Sequence, residues 1–128
     1  MAIEVPGFKL GILATNTTTF ATKQYTAVTQ SSSAGIIVTP SDGASMIGIM
    51  QNQPTVSGES VEIISEGVSK GKFNDALAVG VNYIVGSGGK LHSTGGAAAG
   101  AAVYGPVLVA AGSSSIGSVL LKSVGITT

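Results

Sequence analysis

Apolar positions in the first twenty residues fall at Ile3, Val5, Phe8, Leu10 and Ile12, with Pro6, Gly7 and Gly11 interrupting them. That pattern predicts an extended arm or edge strand over residues 1–20, because proline is tolerated at a sheet edge and not in a central ladder. Residues 25–29 and 35–39 follow as two short β-branched strands bounded by Ser-rich or Pro-containing segments. Pro40-Ser41-Asp42-Gly43 predicts a turn, with proline setting φ and glycine accepting the left-handed conformation, and residues 46–50 then read as a buried strand. Beyond a polar loop over residues 51–60, Val61 and Ile63 alternate with Glu62, which gives a strand one wet and one dry face. A further strand is expected over residues 67–73. With Asn74 as its cap, residues 74–78 read as a single helical turn that packs Ala76 and Leu77 inward. Residues 82–85 and 90–92 form a hairpin around Gly86-Ser87-Gly88-Gly89.

The segment 93–102, STGGAAAGAA, has no large side chain and reads as a mobile surface loop, although its small residues also permit close approach of a neighbouring subunit. Strands over residues 103–109 and 116–122 close the chain around Ala111-Gly112-Ser113-Ser114. The expected class is all-β, a small β-barrel or sandwich with an extended N-terminal arm and at most one short helical turn. The arm or edge strand takes residues 1–20, and a single β-rich domain takes residues 21–128.

Composition changes the picture by making the surface unusual. Only 9% of the residues are charged, six lysines against six acids with no arginine, and the formal net charge is zero; soluble domains ordinarily carry about a quarter. A surface so poor in charge is suited to being covered, which points to a subunit of a permanent assembly. Neutrality and the lack of arginine argue against nucleic acid, whose phosphates call for a clustered positive field and bidentate donors. Lys70 and Lys72 read as a solvated strand face. Without cysteine there is no disulfide or thiolate chemistry. The first sixteen residues lack the basic cluster and apolar run of a secretory signal. Residues 93–121 are uncharged, but glycines, Pro106 and Ser113 to Ser115 break them up, so no membrane span is expected.

Candidate chemistry is sparse. His92 is the single histidine, and with no cysteine or second histidine an ordinary zinc set is excluded, so no metal is expected. A Ser-His-Asp set would need His92 with Asp42 or Asp75, and no serine stands in a strand-to-helix nucleophile context. Glu59, Glu62 and Glu66 form the densest carboxylate group; on a strand Glu62 and Glu66 share a face opposite Glu59, which suits an exposed edge guarded against unwanted pairing. Gly88-Gly89 and Gly95-Gly96 lack the Lys-Ser/Thr and following helix of a phosphate loop. No catalytic residue and no cofactor is assigned, and the chain is read as a non-enzyme.

Several segments together resemble the capsid cement, or decoration, proteins of tailed bacteriophages. They are Met46-Ile47-Gly48-Ile49-Met50, Val61-Glu62-Ile63-Ile64-Ser65-Glu66-Gly67-Val68, Ala76-Leu77-Ala78-Val79-Gly80, the hairpin from Gly86 to Leu91, Gly105-Pro106-Val107-Leu108-Val109 and Val119-Leu120-Leu121, about two thirds of the chain. One departure is Val81-Asn82 after Gly80, where family members commonly place an acid. The resemblance implies a structural protein on the outer capsid surface of the virion, bridging neighbouring major capsid proteins, as a homotrimer or alternatively a homodimer. For attachment, Ile3, Val5, Phe8 and Leu10 are the expected apolar anchors, on a segment whose backbone can add to a capsid strand. The same residues can instead complete the domain's own sheet. A rival reading, a receptor- or glycan-binding β-module of a phage fibre, is disfavoured by the lack of tryptophan for sugar stacking.

Overall fold

The computed structural model describes residues 2, 5–14, 22–30, 36–38, 40–53 and 60–127. Among the described residues eleven strands follow one another: β1 (Val5–Ala14), β2 (Ala27–Gln30), β3 (Ile36–Val38), β4 (Gly48–Met50), β5 (Ser60–Lys72), β6 (Tyr83–Val85), β7 (Leu91–Ser93), β8 (Ala102–Tyr104), β9 (Val107–Val109), β10 (Ile116–Leu120) and β11 (Ser123–Ile126). They form a seven-stranded sheet in the order β1-β3-β2-β4-β5-β10-β9 and a four-stranded sheet in the order β11-β8-β6-β7. All pairs are antiparallel except β1 with β3. The fold is therefore all-β. β1 also pairs with β5, so the large sheet curls until its first strand meets the fifth, yet the sheet as a whole stays open beyond β5 through β10 to β9.

Two apolar clusters explain why these short strands hold together. One gathers Ala27, Ile49 and Val119 of the large sheet with Tyr83, Val85, Leu91 and Tyr104 of the small one, and it is the core between the sheets. The other comprises Val28, Met50, Val61 and Ile63. Successive residues on a strand point to opposite faces, so Ala27 and Val28, like Ile49 and Met50, serve different clusters, and β4 and the first half of β2 are dry on both sides. Each fully buried Val, Ile or Phe contributes about 1.5–3 kcal/mol relative to an exposed one. With no tryptophan and few aromatics, the chain depends on many such modest contributions.

Tyr83 and Tyr104 tie the sheets together by hydrogen bonds. The Tyr83 hydroxyl donates to the Leu120 carbonyl on β10 at 2.9 Å, and the Met46 N–H donates to the Tyr104 hydroxyl at 3.0 Å. Their rings stack with centroids 6.1 Å apart. Burial pushes the Tyr83 phenol well above its ordinary range, so it remains a protonated donor.

The expected hairpin over residues 82–92 is present as β6 and β7, and Asp42-Gly43 turn as expected with Gly43 at φ 74°. Elsewhere tertiary contacts override the local pattern. The helical turn expected over residues 74–78 does not form: the Leu77 N–H, which would turn back toward Asn74, donates to Ala111, and the Asn74 carbonyl that would accept it takes the Ser113 hydroxyl instead. Leu77 is buried as expected, but Ala76 is exposed. The single-turn 3-10 elements lie instead at Ser87–Gly89 and Thr94–Gly96. Residues 60–64 and 67–73, expected as two strands, are joined in β5 because Gly67, at φ 96°, passes the bend without a break. The opposite happens at residues 103–109, expected as one strand. Gly105 at φ 151° and Pro106, which has no N–H to donate, divide them into β8 and β9 on different sheets. The Ala/Gly-rich loop is anchored at its far end. Ala101 is buried, and Thr127 donates from its hydroxyl to the Ala98 carbonyl while its backbone bonds Gly100 and Ala101.

Candidate interaction surface

β1 places part of the expected attachment segment inside the large sheet. Val5, Phe8 and Leu10 stand opposite Val68, Glu66 and Ile63 of β5, with register slips on either side of Phe8. Those slips follow the interruptions at Pro6 and Gly7, where an extra residue bulges the ladder. One backbone edge of this segment is therefore engaged with β5. Ile3 and Glu59 lie outside the described residues, as do residues 31–35. Glu62 and Glu66 are both exposed on β5, as their shared face predicts.

Of the residues considered for catalysis, the structure brings His92 and Asp75 together. Asp75 Oδ2 accepts the Ser93 N–H at 2.9 Å and lies 3.9 Å from His92 Nδ1, beyond hydrogen-bond length. A Cβ at Gly86 would fall 1.9 Å from His92 Nε2, so the imidazole packs against the glycine backbone. Ser113, the serine nearest in the adjoining loop, donates its hydroxyl to the Asn74 carbonyl. What this arrangement does is fasten the β6–β7 hairpin to the 74–75 loop. Among the described residues no group of three or more His, Cys, Asp or Glu is placed to hold a metal ion, and no helix is long and apolar enough to cross a membrane.

The Ser93 N–H holds the Asp75 carboxyl below its usual value of 3.8, with smaller help from Asn74 and His92 against the opposing effect of partial burial. A depressed folded-state pKa gives stability that is present above the unfolded value and lost as pH falls through the folded one. Asp75→Asn is accordingly expected to show a shallower loss of stability than the wild type between pH about 4 and more acidic conditions. Urea midpoints measured down the acid limb check this; identical slopes for the two proteins would refute it.

The remaining feature is an apolar surface. Residues 77–81 run beside β9, with the N–H groups of Leu77 and Gly80 donating to Ala111 and Val107 and the Val107 N–H donating to Val81. Ala76, Leu77 and Ala78 face Ala110, Ala111 and Gly112 across an open groove of about 500 Å³. Val79, Val81 and Leu108 are exposed on the same two segments, Val79 to 63%. A separate apolar edge is β11, where Ile126 is 68% exposed. The sequence carried a signal for this surface in the uncharged stretch after Asp75, but only as composition. Two smaller spaces are a crevice of about 30 Å³ between Met46, Ser65 and Tyr104 and one of about 130 Å³ beside Asp42, Ile84 and Ala101.

No protein-family model matches the chain, and no curated protein matches it. Among solved structures it is similar to the head fiber gp8.5 N base of bacteriophage phi29. The two share a TM-score of 0.67 and 11% sequence identity, over 92% of this chain and 98% of that one. The likeness extends over both sheets and is one of fold.

Proposed function

We propose that this chain is a structural protein of a tailed-phage virion, seated on the outer capsid surface, where it bridges neighbouring major capsid proteins and stabilises the head. The observation that carries this reading is the fold likeness to a head fibre base over almost the whole of both chains. The charge-poor surface and exposed apolar residues support it, since contacts repeated over a lattice make modest apolar burial sufficient. Ile3, Val5, Phe8 and Leu10 are the proposed anchors, and at Val5, Phe8 and Leu10 one backbone edge is already taken by β5. The proposal includes no catalytic step, cofactor, nucleic acid or membrane.

A second reading, the base module of a head fibre, is favoured by the same neighbour, which is itself described as such a base. Incubating the purified protein with expanded and unexpanded phage heads separates the two. A bridging protein is expected to bind expanded heads at repeated lattice positions and raise their resistance to heat. Attachment at isolated points with no gain in heat resistance would favour the fibre base, and failure to bind either kind of head would overturn both.

A further inference from the structure

We infer that a lysine patch around Tyr25 is a docking site for an acidic segment of another protein, whose carboxylates meet the lysine ammonium groups. Four of the six lysines, Lys23, Lys70, Lys72 and Lys90, gather where β5 ends beside the β6–β7 connection, and the contacts that gather them close a ring. The Lys72 N–H donates to the Tyr25 carbonyl at 2.9 Å, and Lys70 Nζ stands 5.4 Å from the centre of the Tyr25 ring. Lys23 is fixed by a tight turn in which Thr26 donates to its carbonyl from both N–H and hydroxyl, and its Nζ lies 3.5 Å from the Gly88 carbonyl oxygen. Lys90 follows soon after Gly88, and a parallel bridge between Phe73 and Leu91 sets it beside Lys72. Phe73 and Leu91 are both fully buried, so Lys72 and Lys90, one position earlier on each segment, point away from the core side by side. Lys70 shares that outward face, because Gly71 between it and Lys72 is turned toward Leu91.

Charge selects the occupant. Among the described residues no carboxylate lies in ion-pair range of Lys23, Lys72 or Lys90. Asp75 borders the patch beyond His92, but it is a single acid, and its carboxyl already accepts the Ser93 N–H. A chain of zero net charge therefore carries a local excess of like charge, and an acidic partner relieves that repulsion while being steered and oriented by it. All four lysines are half-buried, so their stems lie along the protein and lose less freedom when the ammonium groups engage. Bases and sugars would need an open aromatic face, whereas Tyr25 carries Lys70 over its ring and packs against the core between the sheets. A nucleic acid duplex is ordinarily met by a wider basic surface on a positively charged chain. Four lysines on a neutral one match a short run of acidic residues.

This inference deepens the reading of the chain as a virion subunit, which makes the partner a neighbouring virion protein, and its test contains no heads, so each can fail separately. Binding of a fluorescently labelled oligoglutamate peptide to the full chain is followed by anisotropy. The wild type is expected to bind, and to bind more weakly as salt is raised. The double variant Lys72→Gln/Lys90→Gln is expected to bind about tenfold more weakly with an unaltered far-ultraviolet circular dichroism spectrum. Should that variant misfold, Lys23→Gln gives the same reading. Lys122→Gln is the control, since Lys122 lies past the end of β10 that is remote from Lys72, and it is expected to bind as the wild type does. A wild type that does not bind overturns the inference, as does a folded patch variant of wild-type affinity or a control that loses as much. Inorganic polyphosphate and labelled duplex DNA are titrated in parallel, and tighter binding of either than of oligoglutamate would assign the patch to phosphates and overturn it. Self-association of the wild type that the patch variant abolishes would assign the patch to acids of a second copy, and would likewise overturn it.

Discussion

Protein lacking residues 2–12 is expected to be largely unfolded at room temperature. β1 stands opposite β5 from Val5 with Val68 to Leu13 with Ser60. Its Leu10 and Ile12 positions lie beside Ile63 and Val61, two members of the smaller apolar cluster. Each net backbone hydrogen bond contributes about 0.5–1.5 kcal/mol. Losing most of a strand therefore removes several kcal/mol from a total that is typically about 5–15 kcal/mol. The truncation also opens the edge of β5 next to buried Val61 and Ile63, which are fully inaccessible in the intact chain. Far-ultraviolet circular dichroism and urea titration check the outcome. A truncated protein that melts like the full chain would mean the segment is a dispensable arm. Attachment to heads is consequently better tested by single polar substitutions at Val5, Phe8 and Leu10 than by deletion.

The second large effect is expected from Phe73→Ala. Phe73 follows β5 directly, is fully buried, and belongs to the core between the sheets. Its ring occupies space that exists because residue 117 is glycine: a Cβ there would lie 2.6 Å from the ring's Cζ and 2.4 Å from the Val109 carbonyl oxygen. That glycine thus allows β9, β10 and the ring to approach one another, and with them the surface built on β9. Truncating a buried Phe costs about 3–5 kcal/mol, a fall in melting temperature of roughly 10–20 °C for a domain of this size. Gly117→Ala forces the ring and the Val109 carbonyl to yield and is expected to cost about 1–3 kcal/mol. Combined, the two changes should cost less than their sum, since removing the ring frees room for the new methyl while the carbonyl contact persists. Strict additivity in thermal or urea unfolding would contradict that packing, and so would a cost below about 1 kcal/mol for Phe73→Ala alone.

The gap between sequence and structure is narrow in some elements and wide in others. At the β6–β7 hairpin, the run Gly86 to Gly89 and its flanking residues hold all the information needed, because a tight turn is a local property. The alternation of Val61, Glu62 and Ile63 is legible for the same reason. Residues 74–78 show the limit: Asn74 is a suitable helix cap, but the Leu77 N–H that would turn back toward it is claimed by Ala111, far onward in the chain. β11 gave no local warning either. Ser123 to Ile126 are all exposed, and they are a strand because β8 offers them an edge.

For the candidate sites, composition pointed to a surface made for contact, but it did not say where. The 77–81 segment is brought beside β9 by hydrogen bonds to Val107 and Ala111 and by the packing of Leu77 with Val107, all with residues far onward in the chain. His92 and Asp75 are neighbours because β7 folds back beside the 74–75 loop, and the packing of the imidazole against Gly86 is set by the same fold.

By itself the sequence determined an all-β chain, its principal turns, and a composition poor in charge. These follow from side-chain period, glycine and proline geometry, and side-chain chemistry, which are properties of residues and their near neighbours. Tertiary structure alone decided that β8 and β9 part into different sheets, that β1 meets β5, and that residues 77–81 run alongside β9. Each of these depends on backbone donors and acceptors finding partners distant in the chain, and a strand's edge carries no mark of the partner it will take.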